Sequence, residues 1–143
     1  RFASALAADD VAVQEPSYTD LELLARLLQH VDCVVCNAGT ILLDALANDR
    51  PAVCVLYDEG APDGEQHAPL NVTGKHYEEV LASNAFVRAT NFGEVVSGIG
   101  RSLDQPDELS AERRRVAREV MGQVDGRAAD RVVDSVVETV RPS

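Results

Sequence analysis

Val31-Asp32-Cys33-Val34-Val35-Cys36 runs into Asn37-Ala38-Gly39, then Thr40-Ile41-Leu42-Leu43-Asp44-Ala45-Leu46-Ala47, then Asn48-Asp49-Arg50-Pro51, then Ala52-Val53-Cys54-Val55-Leu56-Tyr57. The first and last runs are strand-sized and largely apolar at consecutive positions, which is the pattern of strands buried on both faces. Between them Ile41, Leu42, Ala45 and Leu46 recur at helical spacing, and residues 48–51 carry the signals that stop a helix. This stretch therefore predicts strand, turn, helix and strand in succession, the repeating unit of a parallel α/β sheet.

The alternation continues on both sides. Residues 11–14 predict a short strand, and Thr19-Asp20-Leu21-Glu22 has the form of a capping box opening a helix over residues 19–29. Its buried face is assigned to Leu21, Leu24, Ala25, Leu27 and Leu28. Downstream, residues 58–71 form a polar loop, and Thr73 caps a helix over 74–83. Residues 86–88 form a strand, and Thr90 caps a helix to Leu103 that Gln105-Pro106-Asp107 breaks. Two helices follow, over residues 110–121 and 127–140. The last of them aligns Val132, Val133, Val136, Val137 and Val140 on one stripe. The expected fold is a Rossmann-like α/β domain, a parallel sheet with helices on both faces, occupying residues 1–143 with C-terminal helices over 104–143. Residues 1–10 read as the tail of a helix with no strand before it, so the chain is expected to be a fragment of a larger protein.

Bulk properties narrow the function. The chain has 143 residues, 45% hydrophobic and 26% charged, which suits one soluble globular domain. No apolar run approaches the roughly 20 residues of a membrane span, so any membrane association is expected to be peripheral and through other parts. With 24 acidic against 13 basic residues the net charge is −11, which argues against general nucleic-acid binding. Cys33, Cys36 and Cys54 all fall in apolar runs and are read as reduced core residues, consistent with a cytoplasmic protein. The Cys33/Cys36 spacing in an extended strand sends the two thiols to opposite faces, so neither a metal site nor a local disulfide is expected.

In a parallel α/β sheet ligands bind beyond the carboxyl ends of the strands, which singles out the loops at residues 15–19, 37–40 and 58–71. Gly39 allows close backbone approach, and the N–H groups from Thr40 to Leu42 lie unpaired at a helix start, a position suited to a phosphate. Asp44 lies one turn beyond Thr40 on the same helix face, where a carboxylate could accept hydrogen bonds from a ribose. The competing reading is a plain strand–turn–helix, with Thr40 as cap and Asp44 solvated. Tyr18 is a candidate to stack on a nucleobase or, alternatively, to pack at the loop surface. His67 in the 58–71 loop is a candidate acid or base, and His76 is read as structural. The Arg113-Arg114-Arg115 run is read as a solvated helix face.

The run from Asn37 through Gly39-Thr40, Asp44-Ala45 and Arg50-Pro51 to Val53 resembles the donor-site motif of GT-B-fold glycosyltransferases. Glu65-Gln66 followed by Asn71 looks like that family's acidic-Gln pair. Asp125-Gly126-Arg127-Ala128 through Val133 is similar to the closing helix of relatives of the CDP-glycerol glycerophosphotransferases and other polymer-building transferases of the cell envelope. The resemblance implies that the chain is an incomplete GT-B C-terminal domain. It implies that Gly39 and Thr40 meet the donor diphosphate, Asp44 the ribose, and Glu65 and Gln66 the transferred group, with Asn37 also in the donor site. The donor would be a nucleotide-sugar or a CDP-alcohol, with no further cofactor and no metal. Asn37 departs from the family's usual histidine, and Glu65 from its usual aspartate. The catalytic base is unknown and expected on a missing N-terminal domain, so the isolated chain is expected to be inactive. Two alternatives are a half-domain of a nucleotide-sugar 2-epimerase and a non-catalytic Rossmann-like interaction module.

Overall fold

In the computed structural model, residues 17–62, 68 and 77–140 are described. The strand expected at residues 11–14, the helix tail at 1–10 and the Thr73 cap lie outside them. The elements in chain order are α1 (Tyr18–His30), β1 (Val34–Asn37), α2 (Thr40–Ala47), β2 (Ala52–Val55), α3 (Glu78–Ala82), β3 (Val87–Ala89), α4 (Phe92–Asp104), α5 (Ser110–Met121) and α6 (Ala128–Val140). The three strands form one parallel sheet in the order β1-β2-β3, with Val34 opposite Ala52 and Val53 opposite Val87. This is a Rossmann-like α/β architecture.

Strand alternation divides the side chains between two faces. Ala52 and Cys54 turn to one face and join Leu42, Ala45 and Leu46 of α2, Val80 of α3 and Val116 of α5 in the buried core. Val53 turns to the other face, where α4 lies against it. A Cβ added to Gly98 would stand 3.0 Å from Val87 Cγ1 and 3.3 Å from both Val53 methyls. Glycine at 98 is therefore what lets α4 approach the sheet so closely. On the α3 side, the Arg88 guanidinium donates to the carbonyls of Ser83, at 2.9 Å, and Leu81, and lies 4.8 Å from the Phe86 ring centroid.

The turn after α2 is tied by both backbone and side chains. Asp49 adopts φ 53°, the left-handed conformation that ends many helices. Arg50 N donates to Ala45 O at 2.8 Å and Asp49 N to Leu46 O at 3.0 Å, the paired bonds of a Schellman ending. The Asp49 carboxylate then accepts Ser110 Oγ at 2.6 Å and Arg113 Nε at 2.8 Å, fastening α2 to α5.

Several expectations are corrected. Helix α1 is capped by Ser17, not Thr19: Ser17 Oγ accepts from Asp20 N at 3.2 Å while Ser17 N donates to Asp20 Oδ2 at 3.0 Å. That box begins two residues earlier and adds half a turn. Asn91, not Thr90, caps α4 by accepting Glu94 N at 3.0 Å. Thr90 instead donates its N–H and hydroxyl to the Glu94 carboxylate. Strand β1 starts at Val34 rather than residue 31, because Val31 N closes α1 on Leu27 O at 2.9 Å. Of the residues assigned to the inner face of α1 only Leu28 is buried, and Leu21 and Leu27 are half exposed. The valine stripe of α6 exists but buries nothing: its five valines are 41–70% exposed. Among the described residues no helix is long and apolar enough to cross a membrane.

Candidate functional site

Strand β1 delivers the chain to the carboxyl edge of the sheet at Asn37, which is exposed. Ala38 turns into the core, and Gly39 occupies the N-cap of α2 with φ −163° and ψ 178°. Thr40 is thus the first residue of the helix, not its cap. Leu42 N, expected to be unpaired, instead donates to Gly39 O at 3.0 Å. Gly39 has no side chain with which to cap the first-turn N–H groups, so the positive end of α2 is open where the strand ends. The Gly39 backbone is extended and open to any residue type, and an added Cβ would meet nothing within 4 Å. Neither conformation nor packing inside the described chain calls for glycine here.

Asp44 follows Thr40 by one turn and is half-buried. Burial pushes its carboxyl above the ordinary carboxylate value. Its backbone carbonyl accepts Asn48 Nδ2 at 2.8 Å, which steadies the end of α2. Asn37, Gly39, Thr40 and Asp44 are accordingly gathered on one strand–helix unit, with the chemistry of a dipole end, a hydroxyl and a desolvated carboxylate.

The other candidates are placed differently. Tyr18 opens α1 rather than sitting in a loop and is 92% exposed, so the described chain does not hold its ring against this unit. Glu65, Gln66, His67, Asn71 and His76 lie outside the described residues. Ala68, the described residue between them, is buried and donates its N–H to Asp58 Oδ2 at 2.9 Å. Asp58 is an anchor that sequence reasoning passed over; its only signal was an acidic residue at the start of the expected 58–71 loop, and the strand before it ends at Val55 rather than Tyr57. Tyr77 was also passed over, and it is buried in the core cluster with Ala38, Leu42 and Cys54.

All three cysteines are free. Cys33 lies just before β1, and the neighbour of Cys36 is Cys54, its register partner on β2. Burial pushes the Cys36 thiol up to about 12 and the Cys54 thiol up to about 11, so both stay protonated at neutral pH. Among the described residues no group of His, Cys, Asp or Glu could hold a metal ion. The arginine run is not simply a solvated face. Arg113 is buried, pairs with Asp49 and donates to Pro106 O at 2.8 Å, while Arg115 pairs with Glu112 and Glu119. Its spacing was the missed signal, since Ser110, Arg113, Val116 and Ala117 share the buried face of α5.

A cavity of about 340 Å³ lies at the opposite, amino end of the strands, lined by Asp32, Asp49, Arg50, Pro51, Ser102 and Asp107 among others. It is on the wrong side of the sheet for the strand-end chemistry of this fold class. Comparison of the chain with family models, with curated proteins and with solved structures finds no match in any of the three.

Proposed function

We propose that this chain binds the nucleotide part of an activated donor, a nucleotide-sugar or a CDP-alcohol, and serves group transfer from that donor to a hydroxyl acceptor. The diphosphate lies against Gly39 and Thr40, Asp44 accepts hydrogen bonds from the ribose, and Asn37 donates its amide to a phosphate oxygen. The open N-terminus of α2 opposes the charge that develops on the leaving diphosphate, which is electrostatic stabilisation of the transition state. Glu65 and Gln66 meet the transferred group, and the base that activates the acceptor comes from outside these 143 residues. The observation that carries this reading is Gly39. It caps a helix at the carboxyl edge of the sheet where nothing within the described chain requires glycine, as expected if a ligand backs onto it.

Titration calorimetry with UDP, CDP and GDP tests the proposal. One of them should bind, and Gly39→Val and Asp44→Asn should each weaken it by about tenfold or more with the fold intact. Asp44 also has a stability signature. Its native carboxyl holds a proton to higher pH than the unfolded chain, whose value is near 3.8, so the ionised form costs stability once pH rises through the raised value. Asp44→Asn should therefore leave the neutral-pH melting temperature unchanged or higher, the gain shrinking as pH falls towards the unfolded value. A folded sample that binds none of the three nucleotides would sink the reading in favour of a non-catalytic interaction module.

A further inference from the structure

Helix α6 leaves the body of the domain with its whole apolar stripe uncovered. Val132, Val133, Val136 and Val137 span one side of it and Val140 completes the row, while Asp130, Asp134 and Glu138 run along the next row, four residues apart. The start of the helix is braced to the segment just before it. Arg131 Nη1 donates to both Asp125 oxygens at 2.9 Å, Arg131 Nη2 donates to Gln123 O at 2.9 Å, and Arg127 N donates to Asp125 Oδ1 at 3.0 Å. Gly122 and Gly126, at φ 71° and 74°, supply the two left-handed corners on either side of that brace. None of the residues of α6 is buried.

A groove of about 250 Å³ opens where α2, the end of α5 and the Gly122–Val124 connection to α6 meet. Leu46, Ala47, Ala117 and Val124 give it an apolar lining, and Arg114 and Arg118, one turn apart on α5, give it a basic rim. Both arginines are exposed on a chain of net charge −11, Arg114 standing 3.6 Å from Asp49 at the groove's edge. The groove and the helix are complementary: an apolar stripe with an acidic edge faces an apolar channel with a basic edge. No residue of α6 is buried against its own body, and the acidic edge of its free stripe matches the basic edge of the groove, which points to a second copy of the same chain as the occupant.

We infer that α6 is a docking arm that seats in the α2/α5 groove of a second copy, the two copies exchanging arms about a two-fold axis. Each contact is then made twice, with Asp130, Asp134 or Glu138 of one copy beside Arg114 and Arg118 of the other. The inference does not depend on the nucleotide reading, since neither the arm nor the groove includes a donor-site residue.

Sedimentation velocity on the full chain over a wide concentration range tests it, with circular dichroism confirming the fold of each variant. The wild type should show a concentration-dependent dimer. Val136→Asp should weaken it by about tenfold or more, because a carboxylate would be buried against the groove. Arg118→Glu should weaken it as well, and combining Arg118→Glu with Asp134→Arg should recover much of the loss. A chain that is monomeric throughout overturns the inference. So does a dimer indifferent to Val136→Asp, or a Val136→Asp variant that melts earlier with its mass unchanged, which would place the stripe against its own chain.

Discussion

Two alanine substitutions two residues apart in α4 should move stability in opposite directions. Gly98 and Gly100 both lie inside the helix, and replacing glycine by alanine in a helix interior gains about 0.8–1 kcal/mol of propensity. At Gly100 an added Cβ meets nothing within 4 Å, so Gly100→Ala should stabilise by close to that gain, about 0.5–1 kcal/mol. At Gly98 the same methyl would stand 3.0 Å from Val87 Cγ1 and 3.3 Å from the two Val53 methyls. Val53 is fully buried between α4 and the α2 side of the sheet and has little room to retreat. Overpacking of that kind costs about 1–3 kcal/mol, which outweighs the propensity gain and leaves Gly98→Ala destabilised by up to about 2 kcal/mol. Urea unfolding followed by far-ultraviolet circular dichroism reads both effects, provided that the slope with denaturant stays constant so that midpoints compare directly. Equal stabilisation by the two substitutions would refute the reasoning. It would mean that α4 does not press on Val53 and Val87, and that the second face of the sheet is covered in some other way.

Removing the guanidinium in Arg113→Ala leaves Asp49 without its closest cation. Loss of one partner of a buried pair costs about 3–5 kcal/mol, and because Asp49 is 31% exposed with Arg114 still 3.6 Å away, about 2–3 kcal/mol is expected. A loss below about 1 kcal/mol in urea unfolding would show that the α2–α5 tie is incidental. The cysteines offer a chemical check: with the Cys36 thiol pushed from 9.0 to about 12 and Cys54 to about 11, the native thiolate populations are lower by roughly a hundred- to a thousandfold. Iodoacetamide at neutral pH should therefore modify Cys36 and Cys54 only on unfolding, and prompt native modification of Cys36 by peptide mass spectrometry would contradict the packing of β1 on β2.

What the sequence made legible is what local physics decides. The limits of α2 and α5 follow from apolar spacing and stop signals, and Thr40–Ala47 and Ser110–Met121 were readable to the residue. The parallel sheet follows from short apolar runs alternating with helices. Where two capping solutions overlap, as Ser17-x-x-Asp20 nests with Thr19-x-x-Glu22, spacing alone does not choose, and the box that satisfies donors earlier prevails. Contacts between distant residues were out of reach. Arg113 meets Asp49 across 64 positions and Cys36 meets Cys54 through strand register, and no local pattern encodes either. The candidate site divides the same way. Asn37, Gly39, Thr40 and Asp44 fall together because one turn and one helix place them, whereas the anchoring of the 58–68 loop by Asp58 depends on a bond ten residues long.

The two ends of α2 differ in how fully their groups are engaged. At the C-terminal end nearly every group is engaged: the Asn48 amide, the left-handed Asp49, the Schellman bonds, and the Ser110 and Arg113 side chains converge within one turn. At the N-terminal end, eight residues away, the cap is a glycine without a side chain, the neighbours Asn37 and Thr40 are exposed, and burial holds the Asp44 carboxyl above its ordinary value. A helix this short could not hold its position on intrinsic stability. Anchoring through Asp49 and Arg113 to α5, and through Leu42, Ala45 and Leu46 to the core, is what lets the other end stay open without fraying. Substitutions at the anchored end should therefore act on folding, and substitutions at the open end on ligand binding. A variant such as Arg113→Ala that lowered stability yet left nucleotide affinity intact at a temperature where it is folded would show that the open end is rigid through its own strand–helix turn. A parallel loss of both would show that the anchor positions the site.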